Sequence, residues 1–135
     1  MKKITLLFLM SSSLCLTNCS DDDSKNAESA STLNGKWKLV SITAPMVSET
    51  HTIKNGSVSW QFDESENHVT VIGTSDDDWN PLESGNHKYS VNKVESICDE
   101  SLNVGGINYG CISIDNDTLT ISKAYVDGNI YIFTK

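Results

Sequence analysis

Few residues in this 135-residue chain could do chemistry, and their spacing restricts it further. His51, His68 and His87 stand 17 and 19 residues apart, with no His-x-His or Cys-x-x-Cys element beside them, so no metal-binding spacing is present. Asp76-Asp77-Asp78 could collect a calcium ion. The run lacks the alternating ligands, central glycine and distal glutamate of a calcium loop, however, and reads as a solvated acidic loop. A serine nucleophile needs a neighbouring base and an elbow such as Gly-x-Ser-x-Gly, which does not occur. The expectation is a protein that is not an enzyme and holds no cofactor. Four cysteines and a set of aromatic residues remain, and what they can do depends on where the chain puts them.

The N-terminus has the layout of a signal peptide: Lys2 and Lys3, an apolar run over residues 4–10, then Ser11-Ser12-Ser13 and Leu14-Cys15-Leu16. A membrane-spanning helix would need about 20 predominantly apolar residues, and three serines interrupt this run. It leads into Leu16-Thr17-Asn18-Cys19, which resembles the lipobox of bacterial lipoproteins. The resemblance implies removal of residues 1–18, acylation of the Cys19 sulfur and of the new N-terminus, and a membrane as partner through that anchor. Each buried methylene contributes about 0.8 kcal/mol, so two or more acyl chains hold where one binds only marginally. Ser20-Asp21-Asp22-Asp23 resembles the acidic signal that displays some lipoproteins on the cell surface, and it also reads as a plain solvated linker. The implied location is the bacterial outer membrane, facing either the periplasm or the exterior. With Cys15 removed and Cys19 carrying lipid, Cys98 and Cys111 are left as a pair in an oxidising compartment, where a disulfide is expected. Their separation suits a hairpin around Gly105-Gly106 that returns the two cysteines to facing positions.

Composition narrows the partners. The chain has 10 Lys+Arg against 18 Asp+Glu, and loss of Lys2 and Lys3 leaves 8 against 18. Phosphate backbones repel such a surface, so nucleic acid is not an expected partner. All ten basic residues are lysines, which excludes functions that depend on the bidentate arginine fork. After cleavage, length allows one domain with one modest core. Residues 19–32 are Ser-, Asp- and Ala-rich, too poor in apolar content to repay ordering, and read as a tether reaching roughly 20 Å. The folded domain is expected over residues 33–135.

Within that domain, short runs rich in Val, Ile, Thr, Tyr and Trp are broken by Asn-Gly, Asp-Asn-Asp and Asp-Gly, the punctuation of an all-β chain. Strands are expected at residues 37–43, 57–62, 68–72, 86–91, 111–114, 119–125 and 130–133. Val58, Trp60 and Phe62 share one face, Tyr89 and Val91 point inward, and Ile130 and Ile132 lie opposite Tyr131 and Phe133, which predicts a last strand buried on both sides. Residues 94–110 are the least legible, with a turn at Gly105-Gly106. About eight strands joined by short turns predict a small antiparallel up-and-down barrel, with a sandwich as the alternative.

Leu33-Asn34-Gly35-Lys36-Trp37-Lys38-Leu39 resembles the Leu-x-Gly-x-Trp-x-Leu opening of lipocalin-like lipoprotein domains, and Ile130-Tyr131-Ile132-Phe133-Thr134-Lys135 resembles their closing strand. The resemblance implies that Gly35 lets the chain turn into the first strand and that Trp37 plugs one barrel end. Eight-stranded barrels have interiors just wide enough for packed side chains or one small ligand. Trp60, Phe62, Tyr89, Tyr131 and Phe133 could therefore line a pocket for a small apolar molecule, with Trp79 at its mouth as a recognition residue or a lid. The alternative is that they fill a solid core, in a structural or protein-interaction module that meets other envelope proteins.

Overall fold

Alternation of apolar with polar residues, with β-branched and aromatic types at the inward positions, suits a pleated, half-buried surface, and the chain forms strands wherever it occurs. The computed structural model describes residues 32–73, 80–94 and 96–135. The signal peptide, Cys19, nearly all of the tether, Asp76, Asp77, Asp78 and Trp79 lie outside the described residues. Among the described residues there are nine strands: β1 (Gly35–Ala44), β2 (Glu49–Thr52), β3 (Ser59–Asp63), β4 (His68–Ile72), β5 (Gly85–Val94), β6 (Cys98–Val104), β7 (Ile107–Asp115), β8 (Thr118–Ser122) and β9 (Ile130–Thr134). From β3 onward each strand pairs antiparallel with the next, and β9 pairs back onto β1, so the up-and-down sheet closes in a ring.

The strand the sequence pattern did not reveal is β2. Its residues, Glu-Thr-His-Thr, offer no apolar face, and none of them is buried. It forms because β1 is ten residues long: Gly35 to Lys38 pair with β3, while Ser41 to Ala44 pair with β2 along the same edge. β2 and β3 therefore run in line as one ring position interrupted at residues 53–58. The Ile53 N–H donates to the Val40 carbonyl and the Leu39 N–H to the Val58 carbonyl, so hydrogen bonding continues across the interruption. Ile53 and Val58 stay buried while Asn55 and Gly56 swing outward, Gly56 at φ +80°. The ring thus has eight positions built from nine strands.

The register gives this ring two distinct ends. At the end where the chain enters lie Leu33 and Asn34, the 64–67 turn, the β5–β6 and β7–β8 turns, and Lys135. At the far end lie two short 3-10 turns, Pro45–Val47 and Ala124–Val126, with the β4–β5 connection and the Gly105-Gly106 turn. Trp37 is wholly buried at the entry end; its indole N–H donates to the Leu33 carbonyl at 2.7 Å, and the Lys135 ammonium stands 4.7 Å from the ring centroid. Gly35, at φ +112°, begins β1 in a conformation that favours glycine. Nearby, the Asp63 carboxylate accepts from the Ser65 hydroxyl and from the Ser65 and Glu66 N–H groups, which fixes the 64–67 turn and, with the hydroxyl as the main cause, lowers the Asp63 pKa.

Several expectations need correction. Val91 lies on the Tyr89 face but is 36% exposed, because the pairing of β5 with β4 ends at Lys88 and leaves Val91 with a strand neighbour only on its β6 side, at Leu102. The strand expected at 119–125 stops at Ser122, where the chain turns into Ala124–Val126. The strand expected to begin at residue 57 begins at Ser59. Ile130, Tyr131 and Ile132 are all half-buried, so Phe133 is the one residue of β9 that is fully buried. Cys98 and Cys111 do form a disulfide, with Cα atoms 5.9 Å apart, but not as a facing pair. Cys111 stands opposite Ser101. A register shift places Val94 opposite Cys98 and Lys93 opposite Glu100, and β6 bends there with Asp99 as its extra residue.

Candidate functional site

Of the six residues expected to line a pocket, four form the packed centre of the domain. Trp60 and Phe133 are fully buried, with Phe62 and Tyr89 nearly so. The Trp60 ring centroid lies 5.1 Å from that of Phe133 and 6.1 Å from that of Phe62, and Phe62 meets Tyr89 edge-on at 5.1 Å. These separations and tilts are those of well-packed aromatic pairs. Tyr131 is half-buried and stands at the far end of the ring, while Trp79 lies outside the described residues. The Trp60 indole nitrogen has no hydrogen-bond partner among the described residues, although it is buried.

Sequence reasoning missed Tyr109, the ring that joins this centre to the surface. Leu102 is opposite Gly110 and Asn103 is opposite Asn108, so Tyr109 is the extra residue of a β-bulge. Bulges re-aim a side chain and bend the strand that carries them. Gly110 adopts φ +108°, and a β-carbon there would overlap the Ser122 carbonyl oxygen, so only glycine lets β7 approach β8 this closely. Tyr109 consequently meets Trp60 at a right angle, with centroids 5.6 Å apart, and reaches Tyr131 at 6.3 Å. Its hydroxyl donates to the Pro81 carbonyl at 2.8 Å, tying the β4–β5 connection to β7. Burial, and then the neighbouring Tyr131, raises its pKa above the ordinary tyrosine value. The signal that could have found it is an isolated glycine within a strand pattern, Tyr109-Gly110-Cys111, which marks a bulge.

A cleft of about 270 Å³ opens beside these two tyrosines at the far end, lined by Pro81, Ile107, Asn108, Tyr109, Lys123, Asn129 and Tyr131. Lys123 donates from Nζ to the Asn108 carbonyl at 3.0 Å, and the Asn129 amide nitrogen lies 3.4 Å from the Tyr131 hydroxyl. Asn108 Oδ1 accepts the Gly110 N–H at 2.7 Å, which fixes the orientation of its amide. Large apolar residues are exposed at the same end: Met46, Val47, Ile72, Ile107, Tyr125 and Val126.

Fold and site together define an all-β, up-and-down, ring-closing domain with a packed aromatic centre and a mixed polar and aromatic cleft at the end away from the chain's N-terminal side. Comparison with protein-family models, with curated proteins and with solved structures found no match.

Proposed function

We propose that the protein is a lipid-anchored lipoprotein of the bacterial outer membrane whose lipocalin-like domain acts as a recognition module with a solid core. Its work is binding rather than catalysis, and its partner is met at the far end of the ring. The observation that supports this most is the mutual packing of Trp60, Phe62, Tyr89 and Phe133, since an interior ligand would have to part rings that already fill each other's contact surfaces. The direction of the chain agrees: a tether joined at Leu33 leaves the entry end beside the membrane and turns the cleft and the exposed apolar residues outward. The lipobox resemblance at Cys19 supplies the anchor.

A second reading, an apolar small molecule held inside, draws on the unpartnered Trp60 indole nitrogen, because a buried N–H without an acceptor costs about 1–3 kcal/mol and an interior guest could supply one. Titration of the Cys19→Ala protein with an environment-sensitive apolar dye, read by dye and tryptophan emission, separates the two. The solid-core reading expects no saturable one-to-one binding; saturable binding with a tryptophan shift favours the interior ligand. The anchor is tested by metabolic labelling with a fatty-acid analogue and membrane fractionation. Wild type should carry label in the membrane fraction and Cys19→Ala should carry none; equal labelling would overturn the anchor.

A further inference from the structure

We infer that the cleft between β7, the β8–β9 connection and the start of β9 binds a single sugar ring, and an acidic sugar in preference to a neutral one. The inference rests on the far end being the recognition surface and adds the class of ligand. At about 270 Å³ the cleft falls just below the roughly 300–1,000 Å³ of sites for drug-sized molecules, so it suits one ring and not a long acyl chain. Its lining combines apolar surface, from Ile107 and the tyrosine rings, with the donors of Lys123, Asn108 and Asn129. An ammonium has three N–H groups, and the hydrogen bond from Lys123 goes to a backbone carbonyl, not to a carboxylate. With Asn108 Oδ1 committed to the Gly110 N–H, its exposed NH2 is left as a donor, and the Asn129 amide, which donates to the Tyr131 hydroxyl, lines the same cleft.

A guest must therefore offer several acceptors around a compact ring that also has an apolar face. A hydrocarbon would leave the amides and the ammonium facing a surface that accepts nothing. A flat aromatic acid would satisfy Lys123 but offer the asparagine NH2 groups no further acceptors. A sugar ring lays its C–H face on the tyrosine and distributes hydroxyls to the amides, and a ring carboxylate adds a charge-assisted hydrogen bond to Lys123, about twice as strong as a neutral one.

The test is isothermal titration of the Cys19→Ala protein with glucuronate, glucose and benzoate, accompanied by tyrosine-ring NMR shifts. Glucuronate should bind most tightly, glucose more weakly and benzoate least. Lys123→Gln should weaken glucuronate about tenfold, to near the affinity of glucose, while weakening glucose much less. Asn129→Ala should weaken both sugars, and circular dichroism checks that each variant is folded. Absence of sugar binding, preference for benzoate, or glucuronate binding unaffected by Lys123→Gln each overturns the inference. The dye titration with apolar probes fails or succeeds independently of these outcomes, so loss of the sugar site does not by itself remove the solid-core reading.

Discussion

The two buried indoles show how one atom decides what a residue contributes. Trp37 and Trp60 are equally buried, but the Trp37 N–H is bonded to the Leu33 carbonyl and the Trp60 N–H has no partner among the described residues. Replacement by phenylalanine removes comparable apolar area at both sites. At Trp37 it also strips a buried carbonyl of its donor, whereas at Trp60 it removes a desolvated donor that made no bond. Trp37→Phe should therefore be the more destabilising by about 1–3 kcal/mol, measured by urea denaturation; equal losses would mean that the Trp60 nitrogen has a partner after all. Trp37 was legible from its place in a seven-residue motif, and Trp60 from alternation alone. Tyr109 was not, because a bulge adds one residue to the count and reverses the parity on which face assignments depend.

At the scale of elements, sequence pattern captured strands whose burial alternates and failed where pairing alone creates them. β3, β4 and β8 carry apolar residues at every second position, β9 carries them on both faces, and all four were found to within two or three residues. β2 has no such pattern and exists because β1 overhangs β3. The 94–110 stretch was obscure for a different reason: it holds two register shifts, one on each side of β6, and no single period describes it. The disulfide spans this irregular region. Closing a loop of 14 residues contributes about 3 kcal/mol on the chain-entropy model, a large share of the total for one small domain. Replacing Cys98 and Cys111 together by serine should lower stability by about that amount. Hydrogen exchange should show the loss concentrated first in β6 and β7 and not in the β1–β9 pairing. A uniform loss would mean that the ring unfolds as one unit.

The whole molecule depends on closure, because β9 pairs with both β8 and β1 and an opening there would expose the aromatic centre to water. That centre holds two phenols with raised pKa values, which makes closure sensitive to alkali. For Tyr89 the main cause is burial, followed by Glu64 and Asp63; for Tyr109 it is burial, followed by Tyr131. A pKa raised on folding means that the native state holds the phenol proton more tightly than the unfolded chain does. The resulting stability is fully present below the unfolded value near 10 and is lost as pH rises through the folded values. Denaturation midpoints should thus change little on account of these groups below about pH 9 and fall above about pH 10. Tyr109 is unsuited to isolating the effect, since its hydroxyl also holds Pro81. Tyr89→Phe keeps the ring against Phe62 and removes only the ionisable group, so it should leave the midpoint at pH 7 nearly unchanged and make the decline above pH 10 shallower. If wild type and Tyr89→Phe decline in parallel, Tyr89 ionises as freely in the folded domain as in the unfolded chain, and alkaline unfolding starts elsewhere.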